Sequence, residues 1–114
     1  MSEFCIYVIE LDKKVLKDKK FRTANPDYKE GKPCVYVGST SKTPEIRLEE
    51  HLSGKRNRQG RGRLFNKYAK NYGLWLKPRL YKSHNPFSSE KEAKNFEAEK
   101  ARRLRKRGYA VWQK

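Results

Sequence analysis

The chemistry-bearing residues are few in this chain. Glu97 stands in an apolar helical stripe, beside Phe96 and between Ala93 and Ala101. Burying a bare carboxylate is expensive, so Glu97 must be paired or must bind a cation. Two readings stand side by side. One is a salt bridge to one of the many Lys and Arg. The other is a hard metal such as Mg²⁺, which suits a lone carboxylate completed by waters and a substrate phosphate. Arg47 and His51 lie four apart and therefore project from one face of a helix. Such a pair can grip a phosphate with Arg and move a proton with His, although a solvated basic face would look the same. Tyr7 and Tyr36 sit in β-type runs, where aromatics commonly fill the core. Their functional reading is a phenol hydroxyl aimed at a phosphate or at the water that attacks it. Gly38, just past Tyr36, admits close backbone approach.

These residues need elements to hold them. Residues 4–11 and 34–38 are rich in β-branched and aromatic side chains and read as strands. Alternation puts Cys5, Tyr7 and Ile9 on one face, and Cys34, Tyr36 and Gly38 on one face. Antiparallel pairing would set the two tyrosines side by side, with Cys5 near Gly38 rather than Cys34. Thr43 followed by Pro44 starts a helix over 44–52, which Ser53-Gly54 ends. Leu64, Phe65, Tyr68, Ala69 and Tyr72 recur at helical spacing up to Gly73. A third strand is expected over 74–81, at an edge or bulged because of Pro78. Ser89 and Glu92 form a capping box for the last helix, which Gly108 terminates. Tyr109 to Trp112 is a short apolar tail. Residues 12–33 are polar and basic, with turn signals at Asn25-Pro26-Asp27 and Lys32-Pro33.

Composition sets the class. The chain has 114 residues, 29 Lys+Arg against 13 Asp+Glu, and a net charge of +16. That length bounds it to one domain, 1–114, with a small core. An excess of this size attracts polyanions, and nucleic acid is the commonest of them. No apolar run approaches the roughly 18 residues of a membrane span, and the start lacks a signal peptide's basic and apolar stretches. Cys5 and Cys34 belong to no CxxC pair and have no His at zinc spacing, so both read as reduced thiols in a cytoplasmic protein. Two clusters concentrate the charge. The loop 55–63 holds Lys55, Arg56, Arg58, Arg61 and Arg63. The stretch 100–107 holds Lys100, Arg102, Arg103, Arg105, Lys106 and Arg107. Both are expected to contact phosphates, with Arg102, Arg103 and Gly38 among the nucleic-acid-binding positions.

In order, Cys5-Ile6-Tyr7, Tyr36-Val37-Gly38, Arg47-xxx-His51 and Glu97 make a pattern that resembles the GIY-YIG nuclease family. Cys5 stands in place of the leading Gly and Val37 in place of Ile. The stretch from Glu92 to Ala98, followed by Leu104 and Gly108-Tyr109, is similar to the family's metal-Glu helix and its exit. The resemblance covers nearly the whole chain. It implies a small α/β (α+β) domain, a three-stranded, mainly antiparallel sheet flanked by helices. It implies phosphodiester hydrolysis with one divalent cation, Mg²⁺ or Mn²⁺, per active site. Carried over by position, Glu97 binds the metal, Arg47 steadies the scissile phosphate, Tyr36 or His51 takes the proton from the attacking water, and Tyr7 orients that water or a phosphate oxygen.

Three departures qualify the match. Residues 12–33 form a basic insertion between the first two strands. Ser39 stands where many members have Lys, so a helper cation is missing or comes from elsewhere. An Asn often found after the last helix is absent from Tyr109-Ala110-Val111-Trp112. The expected function is a metal-dependent endonuclease acting on DNA, single-stranded or branched DNA included, with a protein partner as one source of specificity. The alternative is a non-catalytic basic nucleic-acid-binding protein of the same fold. Attachment to an anionic membrane is a third reading, which the motifs oppose.

Overall fold

Two β-forming runs build the centre of the molecule. Cys5–Leu11 (β1) and Cys34–Thr40 (β2) pair antiparallel along their whole length, Cys5 opposite Thr40 and Leu11 opposite Cys34. The register puts Tyr7 opposite Gly38 and Tyr36 opposite Ile9. The two phenols therefore meet on a diagonal of one sheet face, ring centres 6.1 Å apart, rather than as direct cross-strand partners. Cys5 lies opposite Thr40, two residue pairs beyond the Gly38 expected for it. The two thiols sit towards opposite ends of the ladder, and both are free. The computed structural model describes residues 3–53 and 67–113.

Among the described residues the sheet has four strands rather than the three expected; two of its ladders are antiparallel and one is parallel, so it is mixed. Gly73–Leu76 (β3) pairs antiparallel with β1, and Ala110–Gln113 (β4) pairs parallel with β2, giving the order β3-β1-β2-β4. The expected apolar tail is thus an edge strand. It lies parallel to β2 because the chain between them crosses over, as parallel neighbours require. The third strand is shorter than 74–81. It stops at Leu76, before Pro78 removes a ladder donor, and the chain continues through single turns over Pro78–Leu80 and Lys82–His84. The Asn85 side chain then acts as a short strand partner for β1. It accepts from Ile6 N at 2.9 Å and donates to Ile6 O at 2.8 Å, next to Tyr7.

Among the described residues, four helices position the remaining side chains: Lys19–Thr23 (α1), Pro44–Ser53 (α2), Lys67–Tyr72 (α3) and Glu90–Lys106 (α4). Thr43 caps α2, its hydroxyl accepting from Ile46 N at 3.2 Å. Ser89 caps α4, accepting from Glu92 N at 3.1 Å. The reciprocal half of that box is diverted, because the Glu92 carboxylate accepts from the Ser88 hydroxyl at 3.1 Å. Gly108 ends the run with φ +94, the left-handed turn that glycine adopts without a Cβ clash. α4 packs along β1, β2 and β4, with Ala93, Ala101 and Leu104 buried.

The insertion over 12–33, read from sequence only as polar and basic with turn signals, is folded. It holds a single-turn segment over Lys13–Lys17 and then α1, each opened by an aspartate cap, Asp12 and Asp18. Phe21 is fully buried and packs against Tyr68 and Trp112. Asn25 Oδ1 accepts from Val111 N at 2.7 Å and from Arg105 Nε at 3.2 Å, while its amide donates to Phe21 O at 2.9 Å. The insertion thereby clasps β4 against the sheet. Among the described residues, no helix is long and apolar enough to cross a membrane.

Candidate active site

The sheet face that carries Tyr7 and Tyr36 is covered by α2, which turns His51 and Arg47 inwards. His51 is fully buried. Its Nε2 lies 2.9 Å from Tyr7 Oη, and its ring packs edge-on to Tyr36 at 5.2 Å. Tyr7 can lie flat along the sheet because residue 38 has no side chain. A Cβ there would overlap the Tyr7 hydroxyl and ring. Gly38 is itself buried, so its close approach is to Tyr7, and it offers no open surface to nucleic acid. Arg47, only 8% exposed, interacts with the Tyr7 hydroxyl as a charge and as a hydrogen-bond donor. Its Nη1 also donates to Glu50 Oε1 at 3.3 Å.

Electrostatics ties the fifth residue to this group. Glu97 comes from α4 and is 4% exposed. Its charge acts on both phenols. Burial pushes Tyr7 up to about 12; Arg47 pulls it back by charge and hydrogen bond, and Glu97 adds to the rise. Burial, Tyr7 and Glu97 together hold Tyr36 well above the ordinary phenol value. Both tyrosines are therefore protonated at neutral pH. Glu50 moves the other way. Burial works to raise its carboxyl, but hydrogen bonds and charges from Lys42 and Arg47 outweigh burial and leave it below its ordinary value.

No protein-family model, curated protein or solved structure matches the chain.

The site therefore stands on its own geometry. Tyr7, Tyr36 and His51 contact one another, Arg47 acts on the Tyr7 hydroxyl, and Glu97 lies within electrostatic reach of the phenols. Lys55, Arg56, Arg58, Arg61 and Arg63 lie outside the described residues. Arg102 and Arg103 are exposed on α4, and both bind the Glu99 carboxylate, at 2.5 and 3.0 Å. Arg105, counted in the same basic stretch, is instead structural: besides Asn25 it binds Val111 O at 2.9 Å. A groove of about 860 Å³ at the insertion, lined in part by Leu16, Arg22 and Tyr28, shares no residue with the five. Two residues that sequence reading missed complete the site. Glu50 joins Arg47, and Lys42 joins Glu50 at 2.5 Å. Glu50 had a signal, its i+3 spacing from Arg47 on a helix. Lys42 had none, because a turn brings it there.

The donor set can be compared with the metal that the resemblance implies. Among the described residues, no three His, Cys, Asp or Glu side chains gather as a metal cage. Glu97 is a buried single carboxylate, the kind of ligand suited to Mg²⁺, which keeps several of its waters. The residues present fit such an ion.

Proposed function

We propose that the chain is a metal-dependent endonuclease of the GIY-YIG type, hydrolysing phosphodiester bonds in nucleic acid and acting on DNA. One observation carries the reading. Residues far apart in sequence, on β1, β2 and α2, converge as a buried Tyr7–His51–Tyr36–Arg47 group, and the charge of a buried α4 carboxylate reaches the same two phenols. A basic chain of net charge +16 supplies the attraction to a polyanion.

The chemistry follows from the protonation states. Water attacks the phosphorus while the bond to the leaving oxygen breaks, and the attacking water must lose a proton. Neither phenol is ionised at neutral pH, so neither Tyr7 nor Tyr36 is the final acceptor. His51 takes that role. In the tautomer that leaves Nε2 free to accept, it takes the Tyr7 proton across 2.9 Å while Tyr7 Oη takes the proton of the water. Tyr36, edge-on to the imidazole, fixes the ring and orients the water. Arg47 presents a permanent positive charge to the phosphate. Glu97 would hold Mg²⁺ or Mn²⁺, which when bound supplies Lewis-acid stabilisation of the charge on the phosphoryl and leaving oxygens.

The test is incubation of the full chain with labelled single-stranded, duplex and branched DNA, in Mg²⁺ and in EDTA. Cutting of at least one substrate in Mg²⁺ that stops in EDTA is the expected result. Undiminished cutting in EDTA would contradict the metal's role. Tight binding with no cutting of any substrate would favour the non-catalytic alternative.

A further inference from the structure

Lys42 lies in the turn between β2 and α2, its backbone N–H held by the Thr40 hydroxyl at 3.0 Å. Its ammonium binds Glu50 Oε2 at 2.5 Å. The other oxygen of the same carboxylate, Oε1, accepts from Arg47 Nη1 at 3.3 Å. One nearly buried carboxylate therefore holds two cations side by side. Accessibility separates them. The Arg47 side chain is 10% exposed and engaged with Glu50 and Tyr7, whereas that of Lys42 is 49% exposed. An ammonium has three donors, and Glu50 Oε2 occupies one of them. The trio of Arg47, Lys42 and Glu50 carries one net positive charge, which a phosphodiester monoanion would neutralise.

Resting on the nuclease reading above, we propose that Lys42 is a substrate-binding residue that receives the scissile phosphate, and that Glu50 is a positioning residue holding Lys42 and Arg47 towards it. Approach from solvent meets Lys42 first, because Arg47 is covered. Glu50 stays ionised throughout the neutral range, since its two cations hold its carboxyl below the ordinary value. Its role is to keep the guanidinium turned towards Tyr7, where it faces the reacting group, and to stop the Lys42 side chain from drifting into solvent. Lys42 contributes to binding, and Glu50 contributes to rate through Arg47.

The experiment is single-turnover cleavage of a DNA oligonucleotide in Mg²⁺ across a protein titration, which separates half-saturation from maximal rate. The panel is wild type, Lys42→Ala, Lys42→Arg, Glu50→Ala, Glu50→Gln and, as a control for charge alone, Lys91→Ala on the exposed start of α4. Lys42→Ala is expected to raise half-saturation about tenfold, equivalent to ~1.4 kcal/mol, with the maximal rate within about twofold of wild type. Lys42→Arg should restore most of that loss, and Lys91→Ala should shift half-saturation less than about twofold. Glu50→Ala should lower the maximal rate about tenfold or more, with partial recovery in Glu50→Gln, which keeps an acceptor for Arg47. Thermal melts confirm that each variant is folded. Equal half-saturation in Lys42→Ala and Lys91→Ala would overturn the assignment of Lys42. A maximal rate in folded Glu50→Ala equal to that of wild type would overturn the assignment of Glu50. If wild type binds DNA without cutting it, the nuclease reading fails, while the affinities of the same panel still decide whether Lys42 meets phosphate.

Discussion

At the scale of single residues, the division of labour is set by protonation. A phenol raised to about 12 by burial is a proton carrier at neutral pH rather than a base, and in the proposed mechanism Tyr7 passes its proton to the His51 imidazole 2.9 Å away. His51→Ala should therefore reduce the cleavage rate by ~10²- to 10⁴-fold, the usual contribution of a positioned general base. Tyr36→Phe keeps the ring and removes only the hydroxyl, so its loss should be smaller. Both variants should bind DNA with nearly wild-type affinity in a filter-binding or fluorescence titration. A drop in affinity instead would assign the altered residue to substrate contact. Each of these five candidates stood out in the sequence by a local signal, a strand alternation for Tyr7 and Tyr36, an i,i+4 spacing for Arg47 and His51, and a carboxylate out of place in an apolar stripe for Glu97, and it was the family resemblance that joined them into one set. The Lys42–Glu50 pair did not stand out, because a turn that precedes a helix has no periodicity to show where its side chain lands.

At the scale of elements, the β1–β2 ladder is the part of the fold on which the site depends. Tyr7 reaches His51 only because it crosses the sheet above a residue with no Cβ. Gly38→Ala should force Tyr7 off its path, lowering stability by ~1–3 kcal/mol as an overpacked core substitution and lowering the cleavage rate as well. Urea denaturation and a cleavage assay on the same sample check both effects; a Gly38→Ala protein with wild-type stability and rate would show that Tyr7 has another way to reach His51. The strands and the caps at Thr43 and Ser89 were readable from side-chain type. The fourth strand was not. Ala110–Gln113 is four residues long, and what makes it a strand is distant in the chain: the β2 edge, the Phe21 ring stacked on Trp112, and the Asn25 amide bound to Val111 N. The same long-range contacts explain why the insertion shows only polar, basic and turn signals in sequence yet folds as a clasp.

At the scale of the whole molecule, the net charge of +16 divides into cations that hold the fold and cations that face solvent. Arg105 belongs to the first kind, tying α4 to the insertion and to β4. Arg102 and Arg103 belong to the second, on the exposed side of α4, where Glu99 orients them. Removing Arg102 and Arg103 together should flatten the logarithmic salt dependence of duplex binding by about 0.9 for each phosphate they neutralise, and leave the melting temperature nearly unchanged. Arg105→Ala should do the reverse, lowering the melting temperature with little change in the salt slope. An equal salt effect from Arg105→Ala would mean that the distinction drawn from their hydrogen bonds is false. The proposed mechanism turns on one carboxylate of the minority sign. The most direct measurement is the single-turnover cleavage rate of Glu97→Ala beside wild type in Mg²⁺, with DNA affinity measured on the same preparations. Loss of cleavage with affinity retained is the expected outcome; cleavage at the wild-type rate by folded Glu97→Ala would contradict the mechanism.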